Sequence, residues 1–131
     1  MVKVLDASAL MAYLEKEAGY ETVKELLTKA AESNKNLLMT TVNFGEVYYA
    51  VAREQDLEEA EKIAQLIQTF PIEFIDVDLA LARQAALYKA NQKLPFVDCF
   101  AAALAKLRKG ELLTTDKDFK AVEEEIKIGW V

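Results

Sequence analysis

Five short, mostly apolar runs punctuate the chain: VKVLD at 2–6, NLLMT at 36–40, IEFIDV at 72–77, ELLTTD at 111–116 and IKIGW at 126–130. Runs of this length without strict alternation predict strands buried on both faces of a parallel sheet, and the weaker last run is expected at an edge. Helical spacing fills the intervals. Residues 20–32 place Val23, Leu26, Leu27, Ala30 and Ala31 on one face. DLEEAEKIAQLIQTF at 56–70 opens with an acid and a second acid three residues later, as in a capping box. Asp78 is expected to cap LALARQAALYKANQ, and Pro95 to sit in the first turn of PFVDCFAAALAKLRK, with Gly110 as its stop. A helix follows the second strand, and shorter ones are expected at 9–16 and 117–124.

Strands that alternate with helices require right-handed crossovers, so the predicted fold is α/β, a three-layer sandwich around a central, mainly parallel five-stranded sheet. At 131 residues, with no internal repeat or linker, the chain reads as a single domain over 1–131. The apolar content of 53% is enough for a packed interior.

Composition removes much of enzyme chemistry. There is no histidine and the one cysteine is Cys99, which excludes His-ligated zinc, Ser-His-Asp triads, Cys-His pairs and an internal disulfide. No uncharged apolar run approaches the roughly 18 residues of a membrane span. Asp6 stands where a signal peptide is apolar, so the expected location is the cytoplasm, away from membranes. A net charge of −6 repels polyanions, so a nucleic-acid partner needs local help from a basic patch, a second chain or bound cations. Cations on oxygen ligands suit a chain whose plentiful polar chemistry is carboxylate.

In open α/β sheets, ligands bind beyond the carboxyl ends of the strands. Here those positions are acidic. Asp6 ends the first strand and precedes Ala7 and Ser8; Thr114, Thr115 and Asp116 end the fourth, with Asp118 two residues on. Glu46 falls in the first turns of the helix after strand two, and Asp98 in the first turn of the helix leading into strand four. Singly, Asp6 and Asp116 read as helix caps, and Glu46 and Asp98 as acids favoured by a helix dipole. Together they read differently, because Glu46 in TVNFGEVYYAVA and Asp98 in PFVDCFAAALA lie in stretches almost free of other charge. Buried acids need partners, and a divalent cation is the simplest common one. Ala101, Ala102 and Ala105 keep the Asp98 face of its helix narrow. Asn43, one turn before Glu46, is placed to donate to it or to a phosphate, or to help cap the helix.

VLDASAL at 4–10, the lone Glu46 in NFGEVYYA, VDCFAAALA at 97–105 and LLTTDKDF at 112–119 resemble, in that order, the motifs of PIN-domain ribonucleases, and among them the small VapC-type toxins of type II toxin–antitoxin pairs. The resemblance spans the whole chain. It implies that Asp6, Glu46, Asp98 and Asp116 bind Mg²⁺ or Mn²⁺ and carry catalysis, with Thr114 beside them, Asp118 as an accessory acid and Ser8 as a small polar neighbour. Cys99, where a small residue is common, reads as a buried small hydrophobe, since a soft thiolate matches Mg²⁺ poorly. The implied reaction is endonucleolytic hydrolysis of single-stranded RNA by activated water, leaving a 5′-phosphate and a 3′-hydroxyl. A homodimer is implied as well, with a small antitoxin whose basic segment enters the acidic groove.

Tyr13, Phe44, Tyr48 and Tyr49 are either stacking platforms for unpaired bases or packing residues; Arg53, Lys117 and Lys120 are either phosphate contacts or solvated charges. Two other classes compete. One is an idle PIN-like interaction module. The other is an acidic-pocket, Mg-binding receiver-like domain, against which stand the lone acid after strand one and the absence of a lysine after the last strand.

Overall fold

A computed structural model describes residues 1–131. Strands β1 (Lys3–Leu5), β2 (Leu37–Thr40), β3 (Ile72–Ile75), β4 (Glu111–Thr114) and β5 (Lys127–Trp130) form one sheet. Its order is β3-β2-β1-β4-β5, and every pairing is parallel. Helices α1 (Ala7–Leu14), α2 (Tyr20–Ser33), α3 (Thr41–Glu54), α4 (Leu57–Ile67), α5 (Leu79–Asn91) and α6 (Phe96–Leu107) connect the strands, and a 3-10 helix, Lys117–Val122, precedes β5. The sheet order removes the receiver-like reading, because that fold runs 2-1-3-4-5.

Successive residues of a strand point to opposite faces, which divides the core in two. Val4, Leu38 and Leu112 face α5, α6 and the 3-10 helix; Leu5, Leu37, Met39 and Leu113 face α1, α2 and residues of α3 and α4. This is the expected three-layer arrangement. Helix α6 lies deepest, with every residue from Asp98 to Ala105 buried. Full burial on both faces holds for β2 and β4 at every position and for two of three in β1, whereas the edge strands β3 and β5 are partly open. At the amino end of the sheet, Glu111 accepts from Lys3 at 2.6 Å and lies 3.8 Å from Lys127, so one buried carboxylate ties β1, β4 and β5.

Several boundaries differ from the sequence pattern, each for a local reason. α1 begins at Ala7 because Asp6 caps it immediately after the strand. α4 stops at Ile67, as Pro71 disfavours helical backbone in the residue before it. The expected helix at 117–124 is a 3-10 segment, since the Asp116 carboxylate accepts from the backbone of Asp118, two residues on, and tightens the turn. Pro95 sits one residue before α6 rather than inside its first turn.

Gly110 corrects a further expectation. The left-handed residue that ends α6 is Lys109, with φ 52°. Gly110 instead donates to Ala105 and starts β4 so close to β1 that a Cβ there would lie 2.6 Å from the Val2 carbonyl oxygen. Gly45, exposed in the middle of α3, has nothing within 4 Å of its Cβ position. Gly110→Ala is therefore expected to lower stability by about 1–3 kcal/mol, and Gly45→Ala to raise it by about 0.5–1 kcal/mol. Chemical denaturation of both variants reads this directly, and opposite signs are the required result.

Candidate metal centre

The first strand ends in a carboxylate with nowhere to hide. Asp6 is 3% exposed, and burial alone raises its pKa. Its Oδ1 accepts from the backbone of Ala9 at 2.9 Å, which caps α1, and from the Ser8 hydroxyl at 2.8 Å. Its Oδ2 accepts from Thr114 at 2.6 Å. Ser8 in turn accepts from the Thr115 backbone, and Thr114 from that of Asp116. Ser8 and Thr114 thus bind the end of β1, the start of α1 and the end of β4 into one hydrogen-bonded knot. These donors work against the desolvation of Asp6, but burial dominates, and the Asp116 charge adds to the rise.

Asp116 caps the 3-10 helix through one oxygen. The capping role that the sequence allowed for Asp6 and Asp116 is therefore real; it leaves one oxygen of Asp116 free, whereas both oxygens of Asp6 already accept hydrogen bonds. Glu46 is the sixth residue of α3, beyond its first turn, so the helix dipole does not explain it. Asp98 does sit in the first turn of α6.

The four acids perturb one another. Burial lifts Asp98 to about 7, helped by the charges of Glu46, Asp116, Asp6 and Asp118, in that order. Glu46 is raised by burial and by Asp6 and Asp116, with the Asn43 amide acting in the opposite direction. Five ion pairs occur in the protein, and none includes Asp6, Glu46, Asp98, Asp116 or Asp118. The fold brings four acids from four segments within electrostatic reach and pairs none of them with a cationic side chain.

Asn43 acts on Glu46, as expected, and has a further task. Its amide donates to the Val97 carbonyl at 3.2 Å and its oxygen accepts from Thr40, so it joins the start of α3 to the residue before Asp98. The helix cap is Thr40, fully buried and not singled out by the sequence; its signal was a threonine at a strand end. Packing claims most of the aromatic candidates. Tyr13 stacks on Tyr20 at 5.3 Å and Phe44 meets Phe74 edge-on at 5.4 Å, while the Tyr48 hydroxyl donates to Glu61. Tyr49 is exposed beside Arg53 on α3. Cys99 is fully buried, as expected of a small hydrophobe. A concavity of about 430 Å³ lies at the opposite end of the sheet between β1 and α2 and contains none of the acids.

The sequence profile of the PIN domain matches residues 3–125. The chain belongs to the PIN domain family. Among solved structures it is similar to DNA-bound VapBC from Salmonella typhimurium, with a TM-score of 0.80 at 15% identity over 98% of this chain and 97% of that one. VapBC2 from Rickettsia felis, bound to a promoter DNA fragment, gives 0.77 at 17% identity over 100% and 99%. Mycobacterium tuberculosis VapC20, a Sarcin-Ricin loop cleaving toxin, gives 0.73 at 20% identity over 92% and 94%. At these identities the likeness is one of fold. No curated protein matches the chain by sequence.

As a donor set, the acids of this PIN domain suit a hard divalent cation: three aspartates and a glutamate, all oxygen. The Asp98 carboxylate receives no hydrogen bond from the protein, and its raised pKa reflects burial and neighbouring charges that a cation would relieve. No three acidic groups stand close enough to form a ready-made cage.

Asp98 has a folded pKa of about 7 against an ordinary 3.8, so the folded state holds the extra proton. This contribution favours folding at low pH and is lost as pH rises through about 7. Asp98→Asn never carries the charge. In chelator it is expected to melt several degrees above wild type at about pH 8, with the gap narrowing towards pH 4. Thermal denaturation across that range checks it; equal melting at high pH contradicts it.

Proposed function

We propose that this PIN domain is a metal-dependent endoribonuclease that cleaves single-stranded RNA with activated water and acts as the toxin of a toxin–antitoxin pair. The observation that carries the reading is the set of Asp6, Glu46, Asp98 and Asp116, mutually destabilising and without a basic partner. Fold likeness to VapBC structures and to VapC20 supports it.

Asp98, free of internal hydrogen bonds, and the uncommitted oxygen of Asp116 are the natural first ligands for Mg²⁺ or Mn²⁺. Asp6 joins them from a position fixed by Ser8, Thr114 and Ala9. When bound, such an ion lowers the pKa of water and offsets charge developing on the phosphate. Glu46, within electrostatic reach of Asp6 and Asp116, joins them as a ligand or orients the attacking water. Asp118 adds negative charge at the rim. With no histidine in the chain, every proton in this scheme moves through carboxylate or water.

The −6 charge fits an antitoxin with a basic segment, bound more weakly as salt rises. The reading also includes a homodimer. The idle-module reading draws on one observation, the absence of a ready-made cage. Incubating total cellular RNA with the protein, with Mg²⁺, with Mn²⁺ and with chelator, and mapping the new ends separates the two. The expected result is metal-dependent cleavage with 5′-phosphate ends, reduced on the order of 100-fold or more by Asp98→Asn. Intact RNA under every condition supports the idle module instead.

A further inference from the structure

A polyanion approaching four carboxylates on a chain of net charge −6 is repelled, and a cation of the protein's own near the site offsets that repulsion. The three basic residues singled out by sequence differ sharply in the structure. Arg53 lies on α3 beside Glu54, and Lys120 is an exposed side chain. Lys117 stands with its ammonium 4.2 Å above the centre of the Trp130 ring.

The placement of that pair matters. Trp130 is the last residue of β5 and lies in register with Thr114, whose hydroxyl donates to Asp6. Residues in register on adjacent strands share a face, so Trp130 and Thr114 lie on the same face with their backbones about one strand spacing, roughly 4.8 Å, apart. Lys117 directly follows Asp116, at the carboxyl end of the sheet where the acids gather.

The ammonium is flanked in sequence by Asp116 and Asp118 yet pairs with neither. Attraction to the ring face holds it instead. Had it paired with Asp116, it would compete with a metal ion for the same oxygens. Resting on Trp130 it keeps its charge at the rim, with N–H donors free for an outside acceptor. Building on the ribonuclease reading, we infer that Lys117 is the substrate-binding cation of this site, gripping a phosphate of the RNA strand, and that Trp130 is its positioning residue.

Binding of a fluorescein-labelled single-stranded oligouridylate, followed by polarisation over a range of salt, tests this. Asp98→Asn serves as the background so that the strand stays whole. Adding Lys117→Ala is expected to weaken binding by roughly threefold to tenfold and to reduce the slope of log affinity against log salt by about 0.7, as for one lost phosphate contact. Trp130→Leu should reproduce most of the loss, while Trp130→Phe retains most of the affinity. Lys117 is exposed, so its removal should leave the melting temperature unchanged. Trp130 is the single tryptophan of the chain, and its emission should shift on Lys117→Ala and on RNA binding in the Asp98→Asn background. If that background binds the strand and Lys117→Ala changes neither affinity nor salt slope, this inference falls alone. If neither wild type nor Asp98→Asn binds RNA and wild type cuts none, it falls together with the ribonuclease reading.

Discussion

The buried carboxylate of Asp6 sets the terms for everything around it. Removed from water at the end of β1, it must be given donors, and Ser8, Ala9 and Thr114 supply them from α1 and β4. Those bonds fix how the first helix leaves the sheet and how the fourth strand ends. Thr114 then holds the backbone of Asp116, so the second acid is placed by the partner of the first. A second tie, from Asn43 to Val97, fixes the start of α6 and therefore Asp98. Geometry passes from one acid to the others through neutral hydroxyls and amides, which leaves the negative charge uncancelled.

That uncancelled charge is the link from fold to chemistry. A buried acid beside a lysine would be satisfied and inert towards an added cation. Lysines do satisfy Glu111 in this way at the other end of the same sheet. At the carboxyl end the protein carries the cost of crowded acids, with Asp98 held at about 7, and on the proposed reading a divalent ion turns that cost into binding.

Much of this was legible in the sequence because it depends on local rules. Short apolar runs marked all five strands, and acids at strand ends and in two helices otherwise almost free of charge marked the cluster that the fold assembles. Asp56 and Asp78 were readable as caps, and both accept from the backbone three residues on. What escaped depends on contacts between distant segments. Nothing near Gly110 reveals that Val2 passes against it, and nothing near Asn43 reveals Val97. Lys117 was visible only as one of three basic residues until β5 brought Trp130 beneath it. The tight turn after Asp116 was lost for a different reason, since a side chain competing for the backbone leaves no periodic signature.

The claim that these carboxylates exist to hold a divalent cation is open to direct observation. Crystals of the protein grown with Mn²⁺ and measured near the manganese absorption edge give the ion's position independently of activity. An anomalous peak bonded to Asp98 and Asp116, with Asp6 or Glu46 completing the protein ligands, is the expected result. Crystals saturated with Mn²⁺ that show no peak there, with Asp98 still unpartnered, would contradict the account.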